Sequence, residues 1–257
     1  MSGLAITRLT VRFGGLTAVR DVGFTAAPGR ILGLIGPNGA GKSTLLNCIS
    51  GITRPSAGSI RLDGTELAGL SMHRIAARGI GRVFQHPELV AGFTALDTLR
   101  AGCHRDLHYG LLAELFALPA ARRQEAAARH RALAALDAIG LAADADRDMA
   151  LLPYGHRKLV DLARSLMAAP RFLLLDEPVA GLNDAEIDRL ADMLRELRDV
   201  RGLGIVLVEH NMALVARLCD EVVVLDAGRV IAHDVPQAVL RDRAVMAAYL
   251  GEAPADA

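Results

Sequence analysis

The sequence predicts an α/β fold with a mostly parallel sheet, and three observations carry that prediction. Gly36-Pro37-Asn38-Gly39-Ala40-Gly41-Lys42-Ser43 fits the phosphate-binding pattern G-x-x-x-x-G-K-[ST] without a mismatch. An apolar run (Ile31, Leu32, Leu34, Ile35) precedes it and a helical stretch opens at Lys42, so the glycines fall in a strand-to-helix turn. Two further apolar runs, 172–175 and 204–208, deliver Asp176-Glu177 and Glu209-His210 at their ends. Glycines at 36, 39 and 41 let the backbone wrap an anion, so that N–H groups and a helix N-terminus point at a β-phosphate. Lys42 then reaches the β- and γ-phosphates, and the Ser43 hydroxyl takes a coordination position on Mg²⁺, with Thr44 next in the loop.

The 257 residues make one large domain or two intimately joined ones, long enough to bury a substantial core. Aromatics make up only 4% against 52% apolar residues, so the core must be aliphatic. Lys plus Arg and Asp plus Glu both number 29, and this balance argues against general nucleic-acid or anionic-membrane binding. No apolar run approaches the ~18 residues that span a bilayer, and the N-terminus lacks the layout of a signal peptide. The expectation is a cytoplasmic chain. Cys48, Cys103 and Cys219 are isolated, which suits buried thiols in a reducing compartment.

Along the chain, residues 4–24 alternate as strands, with Ala5, Thr7, Leu9, Val11 and Phe13 on one face and a turn at Gly14-Gly15. Phe13 either packs in the core or projects to stack on a purine base; the residues alone favour the core. After the loop helix, Pro55-Ser56-Ala57-Gly58 is a predicted turn, 59–62 a strand and Asp63-Gly64 a tight turn. Ser71 is placed to cap a short helix that Gly79 ends, before a strand at 80–84. Gln85 follows directly, where a polar side chain serves as a ligand to Mg²⁺ or to an attacking water, or is plain loop.

From about 86 to 152 the chain turns Ala- and Leu-rich without alternation, a helical insertion whose clearest helix is 121–139, ended by Gly140. A loop at 152–156 opens a helix over 157–169 with Leu159, Leu162, Ala163 and Leu166 as its buried stripe, and Pro170 stops it. The carboxylates Asp176 and Glu177, at the exit of a buried strand, are costly unless a metal or water uses them. Asn183 or Asp184 caps the next helix, which carries Ile187, Leu190, Leu194 and Leu197 on one face. His210 ends a central-type strand in a nucleotide-binding context and is assigned to the site on that ground. Strands at 221–225 and 229–232, then small helices, finish the chain.

With these sites in this order, the chain resembles the ATP-binding subunits of ABC transporters over essentially its whole length. Gly36 to Ser43 is the Walker A motif, and residues 172–177 resemble Walker B with its catalytic carboxylate. Gln85 matches the Q-loop, Leu152-Pro153-Tyr154-Gly155-His156 the signature loop, Ala180-Gly181-Leu182-Asn183 the D-loop and His210 the switch histidine. Phe13 falls where the family places the adenine-stacking aromatic, which reverses the core reading. The resemblance implies a P-loop NTPase core of the ABC cassette type, with an N-terminal antiparallel β subdomain and a helical insertion. It divides the chain into a catalytic core (1–85 and 170–257) and a helical subdomain bearing the signature loop (86–169). Finer features are similar to the branched-chain amino acid uptake subgroup: Arg12-Phe13-Gly14-Gly15-Leu16-Thr17-Ala18-Val19, the Ala-Gly-Leu-Asn D-loop, Val208-Glu209-His210-Asn211-Met212 and the ending Ala248-Tyr249-Leu250-Gly251. The signature loop departs from Leu-Ser-Gly-Gly-Gln, with Pro153 for Ser and His156 for Gln.

The resemblance implies an ATPase that powers import of branched-chain or other hydrophobic amino acids. ATP and Mg²⁺ are its cofactors, with Ser43 and Gln85 on the metal and Asp176 acting through a coordinated water. Glu177 orients and deprotonates the attacking water, and His210 bridges it to the γ-phosphate. Each ATP lies between one cassette's Walker A and another's signature loop (Pro153, Tyr154, Gly155, His156). The implied partners are a second, different cassette, two transmembrane permease subunits and an extracytoplasmic solute-binding protein. The subunit is then peripheral on the cytoplasmic face of the inner membrane, touching the membrane only through the permeases. The alternatives are a cassette of another import system, for urea or amides, and a non-transport ABC ATPase. Against the latter, the chain has no tandem cassette, coiled-coil insertion or basic extension. A degenerate cassette that only clamps nucleotide is opposed by Glu177 and His210.

Overall fold

The computed structural model describes residues 3–84, 90–103 and 119–250, so the predicted site residue Gln85 lies outside the described residues. The chain divides into two units, one from residues within 1–85, 171–180 and 187–257, the other from residues within 86–170 and 181–186.

The described residues of the first unit form two sheets. One is antiparallel, in the order β2-β1-β4-β5, from β1 (Leu4–Phe13), β2 (Leu16–Ala26), β4 (Ala57–Leu62) and β5 (Thr65–Glu66). The other has the order β10-β9-β3-β8-β7-β6, from β3 (Ile31–Ile35), β6 (Ile80–Val83), β7 (Phe172–Asp176), β8 (Gly204–Val208), β9 (Glu221–Asp226) and β10 (Arg229–Asp234). Strands β9, β3, β8, β7 and β6 run parallel, and β10 closes one edge antiparallel to β9. Strands β3, β7 and β8 are buried at every residue, as expected of parallel strands covered on both faces.

One face of the parallel sheet (Leu32, Leu34, Phe172, Leu174, Val206, Val208, Val223, Leu225) packs with Leu45, Leu46 and Ile49 of α1 (Lys42–Ile49) and the inner residues of β1, β2 and β4 in one core. On the other face Gly33 lies against Val215 of α7 (Met212–Leu218) and the neighbouring Cys219. That cover pushes the Cys219 thiol up to about 12, and burial alone raises Cys48 to about 11, so both thiols stay protonated and inert. Short helices α2 (Met72–Ala77), α8 (Pro236–Val239) and α9 (Arg243–Leu250) complete the unit.

The face predicted for β1 is corrected by the structure. Leu4, Ile6, Leu9 and Val11 are buried, whereas Thr7 and Phe13 are exposed. A bulge at Arg8, with φ of 45°, inserts a residue between Ile6 and Leu9 and shifts the phase of the pairing with β2. The predicted turn at 55–58 also changes, because Ala57 and Gly58 already belong to β4. Gly58, at φ 91°, runs so close to the bulge that an added Cβ would lie 2.6 Å from the Arg8 carbonyl carbon and 2.7 Å from Leu9 Cα.

In the second unit, α3 (Ala95–Gly102) starts at a capping box in which Thr94 accepts from Asp97 N and the Asp97 carboxylate accepts from Thr94 N. Helix α4 (Pro119–Ala138) meets it through Arg100, whose guanidinium holds Glu125 at 2.5 Å. Helix α5 (Tyr154–Met167) begins three residues before the predicted start, with Pro153 as its N-cap residue. Pro is tolerated there because its missing N–H has no intrahelical partner to lose. Gly155 and His156 therefore sit in the first turn of a helix. Helix α6 (Asp184–Arg201) resolves the cap left open between Asn183 and Asp184: Asn183 Oδ1 accepts from Glu186 N at 3.0 Å and Glu186 Oε2 accepts from Asn183 N at 2.9 Å.

The Gly58 contact gives a paired stability test. Gly58→Ala meets backbone and is expected to cost well over the ~1 kcal/mol of an ordinary Gly-to-Ala change at positive φ. Gly64→Ala, at φ 79° with nothing within 4 Å, is expected to cost only that amount. Equal shifts of the two variants in chaotrope-induced unfolding would remove the bulge from this account.

Candidate functional site

The C-terminal ends of parallel strands form the edge at which α/β sheets bind ligands; here β7 ends in Asp176 with Glu177 next, and Glu209 and His210 follow β8. The pairing aligns them: Leu34 stands opposite Val208, and Val208 opposite Asp176. Residues 36–41 leave β3 as a loop and re-enter helix at Lys42, as the spacing predicts. Gly41 has φ of 103°, and a side chain there would meet the Ala18 carbonyl oxygen of β2 at 2.6 Å. The loop is pinned at both ends by hydrogen bonds from afar. Gly228 N, in the β9–β10 turn, donates to Ala40 O at 3.1 Å, and Gly36 N donates to the Tyr249 hydroxyl of α9 at 2.8 Å.

Lys42 is buried, and its Nζ donates to the carbonyls of Gly36 at 2.6 Å and Pro37 at 2.8 Å. Burial lowers its pKa, while the negative charges of Glu177 and Asp176 act the other way. The ammonium is thus folded back onto the carbonyls of its own loop. A cleft of about 330 Å³ opens beside the loop, lined by Phe13, Leu16, Ala18, residues 38–44, Glu177 and His210. Phe13 is 52% exposed and lines this cleft, so it is not a core aromatic. Of the predicted residues, the cleft brings together Phe13, Asn38, Gly39, Ala40, Gly41, Lys42, Ser43, Thr44, Glu177 and His210. Gly36 and Pro37 accept the Lys42 bonds behind it.

Glu177 and His210 face each other, with Oε1 to Nε2 at 2.9 Å. An ionised carboxylate only accepts, and in that state of Glu177 the donor of this bond is Nε2. Glu177 itself has φ of 50°, a left-handed conformation that costs roughly 1–3 kcal/mol outside glycine. Its N–H is held by Val208 O at 3.0 Å and its carbonyl accepts from Ala180 N at 3.2 Å.

Asp176 is buried one residue earlier and faces Arg82, a residue that sequence reading did not single out. The Arg82 guanidinium reaches Asp176 Oδ2 at 3.2 Å, Asn47 Oδ1 at 2.7 Å and Ser50 Oγ at 2.8 Å, and stacks over Phe84 at 4.8 Å. It therefore joins the helix after the phosphate loop to the carboxylate strand. Burial raises the Asp176 pKa, and Arg82 opposes that shift. The only sequence signal for Arg82 is a lone cation inside an apolar strand, which asks for a buried partner.

Among the described residues no three His, Cys, Asp or Glu cluster as a metal cage. The available donors are hard oxygens, the exposed Ser43 hydroxyl and the Asp176 carboxylate. A short oxygen set of this kind fits Mg²⁺, which keeps waters and takes the rest of its shell from substrate phosphates.

The predicted signature residues lie in the second unit. Lys158 sits 5.3 Å from the centroid of the Tyr154 ring, and Gly181 packs on the same ring. His156 Nδ1 lies 3.8 Å from Asp144 Oδ2. Gly155 is buried so closely that an added Cβ would lie 2.7 Å from Glu186 Cδ, displacing the carboxylate that caps α6.

The description "ABC transporter" matches residues 19–180, and "Branched-chain amino acid ATP-binding cassette transporter" matches residues 229–255. The chain is 41% identical over 250 residues to the high-affinity branched-chain amino acid transport ATP-binding protein BraF of Pseudomonas aeruginosa, covering 97% of this chain and 98% of the relative. It is 39% identical, with the same coverage, to the LivG protein of the same description from Escherichia coli K12. Among solved structures, it resembles the ADP conformation of MJ1267, an ATP-binding cassette of an ABC transporter, with a TM-score of 0.84, 28% identity and coverage of 98% of this chain and 100% of the other.

Arg82→Met is expected to destabilise the protein by about 3–5 kcal/mol, because it leaves a buried carboxylate without its counter-ion. Adding Asp176→Asn should recover a large part of that loss in chaotrope unfolding. A double variant no more stable than Arg82→Met would show that the charge pair is not the source.

Proposed function

Because this chain belongs to the ABC transporter family of ATP-binding cassettes, we propose that it is the ATP-hydrolysing subunit of an importer for branched-chain amino acids. The substrate class is supported by the names of its relatives and by the subgroup match at the C-terminus. The observation that carries hydrolysis is the Glu177–His210 pair at 2.9 Å, set in the same cleft as Lys42 and the phosphate loop.

In this reading the adenine stacks on Phe13 and the phosphates lie along the N–H groups of residues 38–44. Lys42 transfers its donors from the Gly36 and Pro37 carbonyls to the β- and γ-phosphates. The exchange is cheap because the ammonium leaves two good acceptors for charged ones. Mg²⁺, when bound, neutralises phosphate charge; Ser43, Asp176 and Gln85 are the residues assigned to hold it. Glu177 accepts the proton of the attacking water, and His210 orients that water against the γ-phosphate.

The signature residues Pro153, Tyr154, Gly155 and His156 serve a second cassette's nucleotide. Pro153 removes a hydroxyl and an N–H, but α5 still begins at Tyr154, and its N-terminal amides and dipole remain available to an anion. One chain is therefore half of each site. We assign 1–85 and 170–257 to the catalytic core and 86–169 to the helical subdomain. The partners are a second, different cassette, two permease subunits and an extracytoplasmic solute-binding protein. Among the described residues no helix is long and apolar enough to cross a membrane, which suits peripheral attachment to the permeases at the cytoplasmic face of the inner membrane.

Phosphate release from the complex assembled in vesicles, with and without the solute-loaded binding protein, tests the reading. Glu177→Gln should keep ATP binding and lower turnover by roughly 10²–10⁴-fold, the contribution of a positioned general base. Near-normal release from that variant would sink the role given to Glu177. Phe13→Ala should weaken ATP by ~1–3 kcal/mol, the usual cost of removing a base-stacking aromatic, and leave inorganic triphosphate binding unchanged. Equal losses for both ligands would return Phe13 to a structural role.

A further inference from the structure

Glu209 is 3% exposed, more deeply buried than Lys42 or Asp176, and the hydrolytic reading gives it no task. Its two oxygens are divided between two loops. Oε1 accepts from Val179 N at 3.1 Å, in the segment just after Glu177, and Oε2 accepts from His210 N at 3.1 Å, with Asn211 N as a further donor. Burial raises its pKa and the three amides oppose that shift, as expected of a carboxylate whose hydration has been replaced by backbone N–H groups.

The position of this carboxylate in the sheet explains what it does. Strands β7 and β8 pair in register up to Asp176 opposite Val208, and Glu177 N still reaches Val208 O at 3.0 Å. Beyond that bond the backbones diverge to carry Glu177 and His210, and the next rung is made by the Glu209 side chain, which takes Val179 N in place of a main-chain carbonyl. Glu177 stands inside this clasp. Its left-handed backbone at φ 50° is held before by Val208 O and after by the Val179–Glu209 bond and its own bond to Ala180 N. A strained residue keeps its conformation only where its surroundings over-determine it.

We propose that Glu209 is a positioning residue: a buried carboxylate clasp between the loops after β7 and β8 that sets the Glu177–His210 distance. The proposal rests on the assignment of that pair to ATP hydrolysis. Glu209 does not itself line the cleft, and its hydrogen bonds reach the neighbourhood of the pair through the backbone N–H groups of Val179 and His210.

The test uses Glu209→Gln, which keeps the size of the side chain and one acceptor but turns the other oxygen into a donor facing an N–H. One of the two loops is then released. In the assembled complex kcat should fall by about 10²-fold, the usual effect of a displacement near 1 Å at a reacting group. The Kd for ATP should stay within about twofold of the original. In the Glu177→Gln background the same change should add less than about twofold, because two residues acting as one unit are not additive. A loss that multiplies with Glu177→Gln, a matching loss of ATP affinity, or unchanged turnover would each overturn the proposal.

A second readout needs no turnover and so separates this proposal from the hydrolytic one. In the isolated subunit, the ¹⁵N shift of His210 Nε2 reports its hydrogen bond to Glu177. That signature should be present in the original protein and lost in Glu209→Gln, with the fold retained by circular dichroism. If the signature survives in the variant, Glu209 does not set the pair, whether or not the complex hydrolyses ATP.

Discussion

Charge that has been taken out of water must be answered within the protein, and the architecture around the cleft depends on how that is done. Lys42, Asp176 and Glu209 are all buried at the C-terminal edge of one parallel sheet, with the Arg82 side chain beside them. An isolated ion there would cost far more than the marginal stability of a domain can supply. Each is satisfied by different chemistry: Lys42 by two loop carbonyls, Asp176 by a guanidinium, and Glu209 by backbone amides. The differences matter because each partner is either exchangeable or fixed. In the proposed function the carbonyl oxygens that hold Lys42 are exchanged for phosphate oxygens, whereas the amides on Glu209 belong to the two loops themselves.

The fold supplies the rigidity that these arrangements need. Strands β3, β7 and β8 have no exposed residue and pair in continuous register, so their ends are placed by the whole aliphatic core rather than by local loop preference. The antiparallel sheet contributes from the other side. Its β1–β2 turn carries Phe13 and Leu16 to the cleft, and Ala18 of β2 closes against Gly41. The bulge at Arg8 is part of the same design, because it keeps the N-terminal half of β1 in register with β4 while the other half delivers Phe13 outward. Tyr249 and Gly228 then tie the phosphate loop to the C-terminal elements of the same unit.

Much of this was legible from the residues. The strands at 31–35, 172–175 and 204–208 stand out because a strand buried on both faces is a short unbroken apolar run, and the phosphate loop because its glycines and lysine are constrained locally. The sequence puts the start of this helix at 157, three residues late, because Pro153 reads as a loop residue although it stands as the N-cap. Alternation puts Ala5 and Thr7 on the inner face of β1 because it assumes an uninterrupted ladder, and the bulge resets it. Periodicity alone puts Phe13 in the core, and its exposure contradicts that reading.

What the sequence determined by itself is the set of local chemistries: a loop that wraps an anion, aliphatic strands that end in carboxylates and a histidine, and a helical insertion between them. These are encoded in residues a few positions apart, where backbone preference and side-chain type act directly. Only the tertiary structure decided which charges are paired. Arg82 meets Asp176 across 94 residues, Gly36 meets Tyr249 across 213, and Glu209 meets Val179 across 30. No local pattern announces such partners, because the energy of a buried ion is set by whatever the rest of the chain brings against it once water has been excluded.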